Sequence, residues 1–421
     1  MAGVNISNAG LMFTRYLDGV TETLNHSSKA RLLCKKDDKW TGDHIEWRMH
    51  VKRSNAVQYG EDGGAFPVAD KQAYVTAKAY RKFLQASIQL TDGVMATASK
   101  SKNVAKDVIT SEVQGIMRDI LKLENGMFLR DGTGSVAQFT EASPATTVAY
   151  VTDGRLMWEG ASFDVYDATG SPSNFEFGAA PPTGASKGTL TVTSVSPTPD
   201  ASGYAAVTFS SAVTGVSAAQ YDHLVWKNSL NRCPTGIDKL IDDASGVTFQ
   251  NVNTSTYPRF TSHVLSNSGT LRDLTPNLFR QMLTGLYQRG GERPADGLTV
   301  LTNSFQSMNV EELYEGELRL SPDSKTGGLA AQSFQSGLGK VDIIIDPDAL
   351  YHSMYFVDFD KIYRAVQKPL DWRRQGGEIF LRSDVTGVRT ATAMEICEFY
   401  IKERHTSGKI EDLNESASTA Y

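Results

Sequence analysis

Gly132-Thr133-Gly134-Ser135-Val136-Ala137 matches the loose G-x-G-x-x-A pattern of a dinucleotide-binding turn. That chemistry needs a strand before the glycines and a helix after them, so that the pyrophosphate meets a helix N-terminus. Here a helical pattern precedes the motif and irregular chain follows, so the glycines read as a helix C-cap and turn. Asp342, Asp346, Asp348, Asp358 and Asp360 could gather near one strand end around a metal. No glycine or glutamate completes a calcium loop, and strand-terminal turns account for such carboxylates. The seven histidines (His26, His44, His50, His223, His263, His352 and His405) stand at no ligand-like spacing. P-loop and HExxH patterns are absent. The expectation is a protein that is not an enzyme and has no catalytic, cofactor-binding or metal-binding residues.

Composition agrees with a folded, non-catalytic body. Of 421 residues, 40% are hydrophobic and 21% charged, and the net charge is −6. That is enough chain for one very large domain or two to three ordinary ones. A mildly acidic chain argues against a dedicated nucleic-acid-binding domain. Cys34, Cys233 and Cys397 are scattered and odd in number, which suits a compartment without disulfides. Neither a signal segment nor an apolar run near 18 residues is visible, so no secretion and no membrane are expected.

One stretch must position the others. From Lys100 to about Arg130, Val104, Val108, Ile109, Val113, Ile116, Met117, Ile120 and Leu121 recur at helical spacing, with Lys106, Glu112, Arg118, Asp119 and Lys122 largely outside the stripe. A helix of about 25 residues would span almost 40 Å. Ile120 is expected to tolerate no charge, whereas Lys122, off the stripe, should tolerate reversal.

Ahead of it the period changes to two. Ile45, Trp47, Met49 and Val51 alternate with polar residues, and a second alternating run goes from Tyr74 through Tyr80, Leu84 and Ile88 to Leu90. Between them Gly60, Gly63, Gly64, Phe66 and Pro67 mark a loose tip. The pattern predicts one long two-stranded hairpin with an apolar face, which is marginal alone in water and must lie on something. Upstream, Leu11, Phe13, Tyr16, Leu17, Val20 and Leu24 fit a short amphipathic helix, and Lys29, Arg31, Lys35, Lys36 and Lys39 form a basic cluster that reads as a solvated linker, with a phosphate-contacting arm as the alternative.

After the helix, charge thins and Gly, Ala, Ser, Thr and Pro dominate. Phe163–Tyr166, Leu190–Val195, Ala205–Phe209 and His223–Trp226 read as short strands of an inserted all-β module over 156–232, expected to fold by itself. An α/β region follows. Thr275-Pro276 opens a helix with Leu278, Met282 and Leu286, and Asn303-Ser304 opens another. Leu298–Leu301 and Val341–Ile345 read as buried strands, with Met354–Val357 as the neighbour of the latter. Gln367–Gly377 is polar and bears Arg373 and Arg374, Ile379–Leu381 and Met394–Ile401 read as strands, and the chain from Arg404 as a polar tail.

This order of parts resembles the major capsid proteins of tailed phages, the Hong Kong 97-type capsid fold. "TPNLFRQMLTGLYQRGGERPADGLTVLTN" and "GKVDIIIDPDALYHSMYFVDFDKIY" read much like its central helix–strand and strand–turn–strand stretches, and "EICEFYIKERHTSGKIEDL" like its returning strand, with Gly408 near the turn. The resemblance implies an α+β fold divided into an N-terminal arm (1–43), an extended β-hairpin loop (44–98), a peripheral domain with a spine helix (99–155), the inserted all-β domain (156–232), a connecting segment (233–270), an axial α/β domain (271–370), and a return to the peripheral domain with a C-terminal tail (371–421).

It also implies a shell protein that self-assembles as hexamers and pentamers around double-stranded DNA, in a virion capsid assembled in the host cytoplasm. An acidic wall suits that role, since packed DNA should slide rather than stick. Portal, decoration and scaffolding proteins are expected partners, the last because no scaffold-like N-terminal segment is visible. The intersubunit contact is expected from Trp47, Met49, Val51, Gly60, Gly63, Gly64, Phe66, Tyr80, Leu84 and Ile88 of the hairpin, lying on Val113, Ile116 and Ile120 of a neighbour's spine. The alternatives are an encapsulin-like nanocompartment shell, a surface- or carbohydrate-binding β protein built on 156–232, and a hydrolase using the aspartates.

Overall fold

The computed structural model describes residues 30–93, 102–140, 147–168, 182–196, 204–212, 222–290, 297–314, 333–336, 339–374, 379–382 and 387–415. The amphipathic segment Leu11–Leu24 lies outside them.

The spine is α1, Lys102–Phe128, 27 residues long. Its side chains are described from Glu112 onward. Ile120 is buried and Val113 and Ile116 are half-buried, while every residue from Glu124 to Asp131 is buried. The last turn therefore seats the helix: Phe128 meets Phe399 with ring centroids 4.5 Å apart. Beyond it, Asp131 Oδ1 accepts the Thr133 amide at 2.9 Å, and Gly132 and Gly134 take φ of +88° and +89°. A Cβ at Gly134 would stand 2.6 Å from the Ser229 carbonyl oxygen. These glycines form the turn expected of them.

The seat is a peripheral sheet of β1 (Lys35–Asp37), β18 (Ile362–Trp372), β20 (Val388–Ile401) and β19 (Leu381–Arg382), in that order, with β4 (Lys82–Thr91) also paired to β20. The second half of strand β18 runs through the stretch read from sequence only as polar, from Gln367 onward. Its register shifts between Val366 and Lys368 and again before Asp371, with Pro369 between, so alternation is broken where a period of two would have revealed it.

The expected long hairpin is two elements. Strands β2 (His44–Lys52) and β3 (Ala73–Tyr80) pair antiparallel as a ribbon. The chain then turns at Arg81 into β4, whose Leu84 and Ile88 face Glu395 and Ala391 of β20. Leu84 and Ile88 thus belong to the body, not to the ribbon. The alternating pattern continues through the corner because both strands have one apolar face, and periodicity cannot mark a change of partner.

The inserted module is larger than expected. Strands β5 (Ser135–Gln138), β6 (Val148–Val151), β7 (Ser162–Ala168), β8 (Pro182–Val195), β9 (Ala205–Phe209) and β10 (His223–Trp226) order as β5-β10-β7-β8-β9-β6. An antiparallel bridge between Phe139 and Val151 joins the ends, so the sheet closes as a barrel around Val136, Phe139, Val151, Phe163, Val165, Val192, Val207, Phe209 and Leu224. The segment 156–232 lacks two of these strands and cannot close.

After a short helix α2 (Ile237–Leu240) comes a small hairpin, β11 (Thr248–Phe249) and β12 (Val252–Asn253). Its turn residues Gln250 and Asn251 both have positive φ, as a tight hairpin requires. The Gln250 carbonyl accepts the Lys78 amide at 2.9 Å and so covers the edge of β3.

The axial sheet orders as β13 (His263–Leu265), β21 (Gly408–Ile410), β17 (Met354–Asp358), β14 (Leu298–Thr302), β16 (Gly339–Ile345), β15 (Ser333–Ser336). Helices α3 (Pro276–Gly290) and α4 (Ser304–Tyr314) belong to the same domain, and Phe279, Met282, Leu283, Leu286 and Val310 join the sheet's core. Strand β17 pairs with β14 rather than with β16. The C-terminal stretch is no solvated tail: β21 lies inside this sheet, and Leu413 is fully buried.

Candidate functional site

Two surfaces of opposite character meet at the ribbon. Its root rests on the chain's own core. Trp47, Met49 and Val75 pack against the cluster of Ala77, Phe128, Ile362 and Phe399, and the Trp47 ring lies 4.8 Å from that of Tyr400. The expectation that Trp47 and Met49 are offered to a neighbour is thus corrected: alternation turns them, half-buried, beneath the ribbon onto the core of their own chain. Val51 is half-buried near the neck, and Tyr80 is exposed at the root.

The tip, residues 53–72, stands away from all this. Asp70 closes its neck, accepting the Asn55 amide at 3.0 Å and the Lys52 ammonium at 3.1 Å. The backbone amide of Asn55, then Lys52 and the Lys71 amide, hold the Asp70 carboxyl below its ordinary range. At the apex Gly64 donates to the Glu61 carbonyl at 2.9 Å. Gly63, with φ of +80°, occupies the turn position that glycine alone takes without strain. Between neck and apex, Val57, Tyr59, Phe66 and Val68 are 86, 108, 95 and 89% exposed. Four large apolar side chains on one loop form the kind of patch that marks an interaction site. Of the expected contact residues, Gly60, Gly63, Gly64 and Phe66 stand here; Val57, Tyr59 and Val68 complete the patch.

The body below is braced by buried charge. The loop Asp346–Leu350 is its hub. Asp346 Oδ2 accepts the Ala30 amide at 3.1 Å, where the N-terminal arm meets the axial domain. Asn125 of the spine donates to Asp346 and to Asp348 at 3.3 and 3.2 Å, and Lys122 reaches Asp348 Oδ1 at 2.5 Å. Lys122 is thus no free surface residue, and its expected tolerance of charge reversal is corrected: the helix turns it onto a buried carboxylate 226 residues away in sequence. From the barrel side, Arg155 donates to the Pro347 and Ala349 carbonyls at 2.7 and 2.8 Å and stacks 3.9 Å above the Tyr351 ring. Burial alone would raise Asp153, but Arg155 and Arg130 together hold its carboxyl below the usual range.

None of these clusters is built for catalysis. Among the described residues, Glu124, Glu395 and Cys397 bring three ligand-type atoms within 4.8 Å of one another. Arg31 meets Glu124 at 2.5 Å and Arg364 meets it at 2.7 Å, and Arg364 also pairs with Glu395, so two guanidinium groups stand where a cation would. In the barrel, His223 Nδ1 lies 2.7 Å from Ser135 Oγ and its Nε2 3.1 Å from Gln138 Nε2. The Gln138 amide can only donate to Nε2, which places the ring proton on Nδ1 toward Ser135 and leaves that serine no free base. The three cysteines are free thiols, and burial pushes those of Cys34 and Cys397 well up, away from the reactive thiolate.

At the ribbon's root lies a cleft of about 450 Å³. Lys78 and Lys82 flank the corner between β3 and β4, Asp131–Thr133 supply the end of the spine, and Lys239 and Glu398 close the far side. Glu398 Oε1 accepts the Thr235 and Phe399 amides at 2.6 and 2.9 Å. Burial nevertheless pushes the carboxyl up to about 7.

The family model of the SU10 major capsid proteins matches residues 21–376. No curated protein matches the sequence. Among solved structures, the capsid asymmetric unit of cyanophage A-1(L) superposes with a TM-score of 0.58 at 12% identity, over 96% of this chain and 99% of that one. The capsid of a native GTA particle gives 0.50 at 8% identity, over 97 and 98%. At such identities the likeness is one of fold: the α+β architecture seen here is a phage capsid architecture.

Proposed function

This chain belongs to the SU10 major capsid protein family, and from that premise we propose that its exposed ribbon tip is the contact by which copies close into a shell around double-stranded DNA. The protein is a structural capsid protein, not an enzyme. The observation that carries the reading is the tip itself: Val57, Tyr59, Phe66 and Val68 stand in solvent on a loop with no core of its own. Its natural cover is the half-buried stripe of a neighbour's spine, Val113 and Ile116, beside the 37% exposed Leu121. A contact between two different patches is head-to-tail, and such contacts generate rings when the rotation closes. Hexamers and pentamers are the rings a shell requires.

The acidic body, at net charge −6, supports a wall that encloses DNA without binding it tightly. Portal, scaffolding and decoration proteins are the partners such a shell would meet, and host cytoplasm is where it would assemble. Negative-stain images of the purified protein test the assembly reading. Closed particles are expected at high protein concentration; dispersed monomers under every condition tried would contradict it.

A further inference from the structure

We propose that the acidic apex of one copy's ribbon, Glu61 and Asp62, seats in the lysine-lined cleft at the root of the next copy's ribbon. This rests on the reading that the tip reaches a neighbour, and it names where the apex lands.

Both halves of the contact are in the structure. Glu61 and Asp62 lie in the apex turn, exposed and two residues wide, between Gly60 and Gly63. Their carboxylates stand ahead of the apolar residues and would be the first charges a partner meets. The cleft offers Lys78, Lys82 and Lys239. Lys78 pairs with Glu46 at 2.6 Å and Lys239 with Asp242 at 3.0 Å, whereas Lys82 meets the Asn231 carbonyl at 2.7 Å. An ammonium group on a neutral acceptor keeps its full charge for an incoming carboxylate. The cleft's own acids are Asp131 and Glu398. Burial raises both, which weakens the acidic side of the cleft, and Lys82 is left as the ammonium best placed to receive a carboxylate.

The occupant is a second copy because the chain's own apex cannot return. The eight residues of β3 put about 27 Å between root and neck, and the tip continues away from there. Folding back would break the ribbon's ladder. The landing place also agrees with the apolar contact. Asp131–Thr133, which line the cleft, directly follow the spine, so a tip laid along a neighbour's spine brings its apex to that end. The apolar side chains would supply adhesion, and the charges would fix register.

Charge reversal tests this. Glu61→Lys with Asp62→Lys changes only exposed side chains, so the protein should fold as before, while closed particles seen by electron microscopy should fall by about tenfold or more because like charges then face each other. Lys82→Glu with Lys239→Glu should do the same, and the chain carrying all four changes should recover particles. Unaltered particle yield from the apex variant would overturn the proposal, whatever the cleft variant does. So would a folded four-fold variant that forms none. A chain with residues 56–70 replaced by Asn-Gly separates the two readings. If that chain loses particles while the apex variant keeps them, the tip contact stands and the cleft is the wrong seat.

Discussion

The hub at Asp346–Leu350 and the tip at residues 53–72 are opposite solutions to the placing of side chains in a shell protein. The hub draws the N-terminal arm, the spine and the barrel onto two buried carboxylates and two carbonyls of one loop. Those partners are far apart in sequence, up to 316 residues from the loop. The tip is tied at its neck, at its apex turn and by one bond between them from the Gln58 side-chain amide to the Ala65 carbonyl, and its large side chains face water. The hub ties three parts of the subunit together, whereas the exposed side chains of the tip are, on the proposed reading, kept for another copy. On the proposed reading, residues that hold the subunit together and residues that join copies lie on different stretches of the chain.

The contrast predicts its largest effect at Lys122. Lys122→Asp would set two carboxylates against each other beside the buried Asp348, and breaking a buried pair in this way costs roughly 3–5 kcal/mol. That is comparable with Ile120→Asp in the core and much of a typical stability of about 5–15 kcal/mol. Both variants should be mostly insoluble, as judged by the soluble fraction on expression. Ordinary solubility of Lys122→Asp would show that the hub is ornamental.

That residue also shows how far the sequence could be read. The spine, the ribbon's alternation, four of the barrel strands and the capsid-like order of parts were legible, because helical and strand periods are local. Lys122 was not, since its partner lies on a loop more than two hundred residues away. The division of the hairpin at Arg81 was hidden because an apolar face looks the same whichever strand covers it. Strand β18 was hidden by Pro369 and two register shifts, and the true role of 408–410 by its shortness. The candidate site divided similarly. Glycines and Phe66 marked the tip, but Trp47 and Met49 carry the same apolar signal whether they face a neighbour or their own core.

A smaller effect is expected at Glu398, which lies on the body side of the contrast. Its carboxyl rises from 4.5 to about 7 in the fold, so the native state holds a proton that the unfolded chain has released between those values. Stability should therefore fall as pH rises through that window, and the loss should be complete above pH 7. Glu398→Gln keeps the oxygen that accepts both amides and removes the charge. At pH 8 it should be more stable than the parent by on the order of 3 kcal/mol, a rise in Tm of several degrees, and the gap should vanish below about pH 4.5. Thermal melts at a series of pH values check this; a gap independent of pH would refute it.

The smallest effect on the subunit belongs to the tip. Tyr59→Ser with Phe66→Ser removes two rings that touch almost nothing in the subunit, so its stability should move by no more than about 0.5 kcal/mol. Chemical denaturation of the dissociated subunit measures this. A larger loss would mean that the tip supports its own chain and would blur the distinction from the hub.

The most direct measurement is sedimentation velocity on the chain in which residues 56–70 are replaced by Asn-Gly, beside the parent at equal concentration. The short turn keeps β2 and β3 in register while removing the reach. The account predicts a folded protein, with the parent's circular dichroism, that sediments as monomers and small oligomers only. Closed particles sedimenting like those of the parent would contradict it, because the shell would then have been built without the exposed apolar tip of the ribbon.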